Sequence, residues 1–213
     1  MDVRMFTVGP VQENCYLVRS DGADKAVIVD PGEEADRLLR VIDELGVELE
    51  AILLTHTHFD HVGAVAPVAR ATGAPVYCPE IEVPILNDIN SYTFPGFGPF
   101  ESYDPEETVK GGEQLEFAGL TFDVVFTPGH SPGHVTYAVP DEGVLLSGDV
   151  LFQGSVGRTD LPGADWPTLL SSIGTLLDRY PDETRVLPGH MGITTLGQER
   201  ATNPFLRELA TQR

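Results

Sequence analysis

Residues 51–61 read Ala51-Ile52-Leu53-Leu54-Thr55-His56-Thr57-His58-Phe59-Asp60-His61. A short apolar run of the kind that forms a buried strand gives way to four metal-type side chains, His56, His58, Asp60 and His61. In extended chain successive side chains alternate, so His56, His58 and Asp60 are expected to face one way. Asp60 then suits a helix N-cap before Val62-Gly63, which lets His61 turn across. One run can therefore serve two cations, with His56 and His58 on one and Asp60 and His61 on the other.

Outward from this stretch the same pattern recurs. Val124-Val125-Phe126 leads to Thr127-Pro128-Gly129-His130, Val144-Leu145-Leu146 to Ser147-Gly148-Asp149, and Val186-Leu187 to Pro188-Gly189-His190. Four strands are thus expected to deliver His or Asp at their C-terminal ends, where open α/β sheets place their sites. The candidate metal ligands are His56, His58, Asp60, His61, His130, Asp149 and His190, with Asp60 and His61 the catalytic candidates among them. Imidazole and carboxylate donors suit zinc first, and iron or manganese as well. The sixth histidine, His134, opens a strand rather than following one, and is expected to orient a ligand instead of binding metal.

The remaining pattern is α/β. Strands are expected at Val3–Val8, Cys15–Arg19, Lys25–Asp30, Ala51–Leu54 and Val76–Cys78, then at Gln114–Phe117, Leu120–Phe126, His134–Val139, Val144–Leu146 and Arg185–Leu187. Helical spacing of Leu38, Leu39, Ile42 and Leu45 marks a helix over 34–45 that stops at Gly46. Further helices are expected over 62–71, ending at Gly73, and over 166–180, and the last residues are helix-prone. Two groups of strands, each followed by helices, predict two face-to-face sheets with helices outside, a four-layer αββα sandwich formed as a single domain over residues 1–213. Between Asn87 and Asp104 no period survives, although Tyr92, Phe94, Phe97, Phe100 and Tyr103 crowd there. Such a segment is either a cover over substrate or a loop packed on itself or on a second copy.

Bulk composition narrows the function. Thirteen Lys and Arg face 33 Asp and Glu, a net charge of −20. A field of that sign repels phosphate backbones, so no nucleic-acid partner is expected. The two cysteines, Cys15 and Cys78, form neither a CxxC pair nor a disulfide framework, and Cys15 is expected to be buried. No secretory signal and no membrane-length apolar run are visible, which predicts a cytoplasmic protein without a membrane partner, monomeric or homodimeric.

These residues resemble the metallo-β-lactamase-fold hydrolases over nearly the whole chain, and most closely the glyoxalase II-like (hydroxyacylglutathione hydrolase-like) branch. The stretches that carry the resemblance are Thr55–His61, Thr127-Pro128-Gly129-His130-Ser131-Pro132-Gly133-His134, Gly148-Asp149-Val150-Leu151-Phe152, Gly157-Arg158-Thr159-Asp160 and Asn203-Pro204-Phe205-Leu206. The resemblance implies one divalent metal on His56, His58, His130 and Asp149, and a second on Asp60, His61, His190 and Asp149. It implies hydrolysis of a small acyl-thioester, such as S-lactoylglutathione, by attack of a metal-bound hydroxide. Arg158 stands where the family places a basic substrate contact, but Asp160 stands where a tyrosine is expected, and only 23 residues follow His190, as in short members lacking the C-terminal helical domain. Two alternatives follow from the same resemblance: a persulfide dioxygenase-like oxidoreductase with one iron on His56, His130 and Asp149, and another hydrolase of this fold such as a lactonase.

Overall fold

Alternation along the central strands decides which layer each side chain joins. In the computed structural model, which describes residues 1–207, β1 (Asp2–Val8), β2 (Glu13–Arg19) and β3 (Lys25–Val29) pair antiparallel. β4 (Glu48–Leu53), β5 (Val76–Pro79) and β6 (Glu107–Val109) then add in parallel, completing a six-stranded sheet in sequence order. The parallel steps are bridged by α1 (Ala35–Leu45), then by α2 (Phe59–Val62) and α3 (Val65–Thr72). The short α4 (Val83–Asn87) follows β5.

The second sheet starts with β7 (Gln114–Phe117), β8 (Leu120–Phe126), β9 (Val135–Val139) and β10 (Val144–Gly148), all antiparallel. A small hairpin of β11 (Leu151–Phe152) and β12 (Ser155–Val156) and the helix α5 (Trp166–Arg179) come next. β13 (Arg185–Pro188) then joins β10 in parallel, β14 (Thr194–Thr195) closes the edge, and α6 (Leu196–Thr202) follows.

Three buried clusters show the layering. Leu17, Ile28, Ile52 and Leu54 pack on Leu38 and Ile42 of α1 and on Val65 and Val68 of α3. Their strand neighbours Val18, Val27, Val29 and Leu53 face the other way, onto Phe122, Val124, Tyr137, Leu146 and Leu187 of the second sheet. Beyond that sheet Val125, Ala138, Leu145 and Val186 meet Leu169, Ile173 and Leu176 of α5. Helix, sheet, sheet and helix follow in order, so the expected αββα sandwich is the observed fold. α5 is capped by Asp165, whose carboxylate accepts from the Thr168 N–H at 2.9 Å.

Several sequence expectations change. The helix expected over 62–71 is two helices, because the Ala64 N–H bonds to the Pro31 carbonyl at 3.0 Å and leaves the helical ladder. Asp60 is not the N-cap of α2. His58 holds that position, and Asp60 sits in the first turn, where a carboxylate complements the helix dipole. β6, β11, β12, β14 and α4 are additional; each has five residues or fewer, too few to show a period. Of the helix-prone last residues, those beyond 207 lie outside the described residues. No helix among the described residues is long and apolar enough to cross a membrane.

Candidate metal centre

All seven sequence-predicted ligands converge at one end of the sandwich. β4 ends at Leu53 and runs into His56, His58, Asp60 and His61; β8, β10 and β13 run into His130, Asp149 and His190. The β10–β13 register shifts between Leu146 and Gly148, and Gly148 takes φ +48°. A Cβ there would strike the Thr55 hydroxyl and lie 2.6 Å from His134 Nε2, so only glycine brings Asp149 this close to the β4 loop.

The seven side chains sort into two groups about Asp149. His58 Nδ1 lies 3.1 Å from His56 Nε2 and 2.8 Å from His130 Nε2. In the second group, His190 Nε2 lies 3.2 Å and His61 Nε2 3.9 Å from Asp60 Oδ2. Within each trio the donor atoms fall inside 4.8 Å of one another. Asp149 reaches both, with Oδ2 3.4 Å from His130 Nε2 and Oδ1 3.3 Å from His61 Nε2. His56 and His58 share one group, as alternation requires. Asp60 has left it for the other, because α2 begins at Phe59.

A surrounding set of acceptors fixes the rings. The Thr55 hydroxyl donates to Asp30 Oδ2 at 2.6 Å, so His56 Nδ1, 3.1 Å from that hydroxyl, is the ring's donor and Nε2 faces the site. His61 Nδ1 bonds Asp30 Oδ2 at 3.1 Å, and His130 Nδ1 donates to the Arg158 carbonyl at 2.8 Å. Each leaves a bare Nε2 for a ligand role. His134 stays outside both groups and touches Asp149 through the backbone, as expected of a residue that orients a ligand. Asp30, Glu82 and Glu13 were not anticipated. Asp30 follows the apolar Val27-Ile28-Val29 and obeys the strand-end rule that found the other four positions. Buried Glu82 accepts from the Thr57 and Ser131 hydroxyls, each at 2.8 Å, and from the Gly133 N–H at 2.7 Å. It ties the His58 loop to the His130 loop, and no local pattern announces it. Glu13 is fully buried, its Oε1 3.7 Å from His61 Nδ1.

The electrostatics suit cations. Burial and the neighbouring imidazoles push His56 well down, and burial with His130 brings His58 to about 3. Both rings are neutral and ready to donate lone pairs. Burial also works against charge on His61 and on Asp149, yet their mutual attraction prevails: His61 is held well up and Asp149 well down. His61 Nε2 and Asp149 Oδ1 are buried without a hydrogen-bond partner. Buried polar atoms left without a hydrogen-bond partner this close together fit a bound divalent cation, which would take the place of the proton that His61 holds without it.

The site opens on a cavity of about 760 Å³ lined by Asp60, His58, His130, Asp149 and His190 together with Phe94, Phe97 and Phe152. Phe59 of α2 packs on Phe97 at 4.8 Å and on Phe94 and Phe100 at 5.9 Å. The aromatic segment is therefore anchored on the ligand-bearing helix and also forms a wall of the cavity. Arg158 lines it too, but its guanidinium is paired with Asp160 at 2.6 and 2.7 Å.

The Metallo-beta-lactamase superfamily pattern matches residues 8–190. The hydroxyacylglutathione hydrolase GloC of Haemophilus influenzae is 38% identical over 209 residues, which span 97% of this chain and 98% of that protein. Among solved structures, the BLEG-1 B3 metallo-beta-lactamase superposes with a TM-score of 0.90 at 41% identity, covering 96% of this chain and 99% of that one. TTHA1623 in a di-iron-bound form gives 0.80 at 44% identity, covering 95% and 100%.

Proposed function

This chain belongs to the metallo-beta-lactamase superfamily, and from that premise we propose that it is a dinuclear metal-dependent hydrolase of small acyl-thioesters, of the glyoxalase II type. The observation that carries the reading is the pair of donor groups sharing Asp149 at the floor of one cavity. Likeness to GloC, named a hydroxyacylglutathione hydrolase, supports the thioester.

In this reading His56, His58 and His130 hold one cation, Asp60, His61 and His190 the other, and Asp149 both. The donor set suits zinc, with iron or manganese as alternatives. Two such cations supply a water acidified toward neutral pH and positive charge beside the carbonyl oxygen. The protein's own part is positioning. Asp30 and the Arg158 carbonyl fix the rings of His61 and His130, and the aromatic wall gives the substrate an apolar surface to lie against. Asp60 lines the cavity and is the carboxylate that takes up and returns a proton. A cysteine thiol, with a pKa of about 8.5, leaves as thiolate without a dedicated acid, whereas an amine does not. The complete Asp60–His61–His190 group favours two metals over the single-iron oxidoreductase arrangement.

Elemental analysis of freshly purified protein, paired with a thiol-release assay, tests this. Two metals per chain and thiol release that collapses in Asp149→Ala are expected. Full turnover by chelator-stripped protein, or one iron per chain with oxygen uptake, would overturn it.

A further inference from the structure

The cavity's walls and its one basic side chain carry information about which thioester belongs there. Val11, Ile85, Phe94, Phe97, Phe152 and Val156 give it an apolar lining. Its volume of about 760 Å³ is far more than a lactoyl-sized acyl group fills, so most of it surrounds the group on sulfur. Among the described residues that line it, Arg158 is the single Lys or Arg. That guanidinium is bidentate to Asp160, with Nε to Oδ1 at 2.6 Å and Nη2 to Oδ2 at 2.7 Å. Both side chains are exposed, at 58% and 68%, so either can move. Even so, two residues of separation keep the carboxylate beside the guanidinium, and the pair presents no net charge to a ligand. Beyond it lies a protein of net charge −20.

Glutathione brings two carboxylates and one ammonium, all of which need polar partners when they leave water. Among the described residues this rim offers no uncompensated Lys or Arg, and the walls offer mostly hydrocarbon. A neutral, apolar thiol meets the opposite balance, since burying it against Phe94, Phe97 and Phe152 is favourable.

We propose that the substrate is a thioester of an uncharged, apolar thiol rather than of glutathione, and that Asp160 sets this preference by neutralising Arg158. The proposal rests on the thioesterase reading above and deepens it.

Two thioesters with the same acyl group separate the cases: S-lactoyl-2-phenylethanethiol and S-lactoylglutathione, each given to the metal-loaded protein, with rates taken relative to hydroxide hydrolysis of the same ester so that leaving-group acidity cancels. The phenylethyl ester is expected to show a kcat/KM higher by about tenfold or more. Asp160→Asn, which leaves Arg158 uncompensated, is expected to shift the ratio back toward glutathione by about tenfold. Calorimetric titration with glutathione gives a reading independent of turnover: binding should tighten about tenfold in Asp160→Asn relative to the unaltered protein. Equal or better turnover of the glutathione ester, with a ratio that Asp160→Asn does not move, would overturn the preference and leave the thioesterase standing. Release of thiol from neither ester would overturn the thioesterase reading itself.

Discussion

The backbone N–H of Asp149 donates to Nε2 of His134 at 3.0 Å, and the other ring nitrogen of His134 lies 3.0 Å from the Thr127 hydroxyl. A fully buried imidazole thereby connects the turn after β10 to the end of β8. It fixes the one carboxylate that both donor groups share. His134→Ala should weaken metal binding about 10- to 100-fold, as removal of ligand-supporting partners does. Competition against a chromogenic chelator measures this. An unchanged affinity would mean that Asp149 is held by β10 alone.

Gly189 lies against the same carboxylate from the opposite side. A Cβ there would meet Asp149 Oδ1 and come within 2.6 Å of His61 Cε1. Gly189→Ala should therefore displace the bridging position. The expected result is less metal bound per chain than in the unaltered protein, with a loss of about 1–3 kcal/mol in the metal-free protein from overpacking. Elemental analysis beside urea unfolding separates the two effects.

Glu82 accepts three hydrogen bonds within the buried space between the ligand loops. Glu82→Ala strands the Thr57 and Ser131 hydroxyls and the Gly133 N–H, at about 1–3 kcal/mol for each group left unpaired. A loss of at least about 3 kcal/mol in urea unfolding is expected, with Glu82→Gln losing less because its amide oxygen still accepts. Equal losses in the two variants would show that packing, not hydrogen bonding, is what Glu82 supplies.

Opposed shifts among the histidines give the metal-free protein a stability maximum. An unfolded histidine titrates near about 6.5. Burial holds His56, His58 and His134 below that value, so on acidification the unfolded chain takes up protons that the folded chain refuses, and stability falls. His61 and His190 are raised, burial being outweighed by Asp149 and Asp60. Their stabilisation is complete below about pH 6.5 and is lost as pH rises through their folded values. Glu13, raised by burial, is fully stabilising only below its unfolded value of about 4.3 and loses that contribution as pH rises from there through its folded value. The Tm of chelated protein should thus peak near about pH 6.5 and fall to either side. Metal needs His61 and His190 deprotonated, so the Tm gained on adding metal should grow from pH 6 to 8. A chelated Tm that climbs steadily with pH would contradict the assignment.

The fold and the site were not equally legible. His130, Asp149 and His190 were readable because each follows a buried apolar strand, and a strand end is a position that sequence marks clearly. Two layers of alternating residues, such as Leu17 against Val18 and Ile28 against Val27, made the sandwich readable for the same reason. Asp60 lies with His61, apart from His56 and His58, as its reading required, but not at the helical position expected of it, because a helix of only four residues gives no periodic signal. Asp30 carried the strand-end signal, but Pro31-Gly32 after it read as a simple turn. Glu82 could not be found this way: its importance lies in partners 25, 49 and 51 residues away, which only packing brings together. The aromatic segment was recognisable by its lack of period. Its role as both packed loop and cavity wall depended on Phe59, which sequence reading passed over.

The position of the site at the junction of the two sheets bears on the order of events in the protein's maturation. Four of the seven donors come from the loop after β4, and three from loops of the second sheet. A cation seated on Asp60, His61 and His190 would cross-link the segment after β4 to the loop after β13, about 130 residues later in the chain. By itself the first sheet presents neither Asp149 nor His130 nor His190. Capture of a metal by the Asp60–His61–His190 group would therefore have to wait until β13 has docked beside β10. A chain stalled with its second sheet unformed lacks the shared carboxylate and, with it, the means to retain a metal pair.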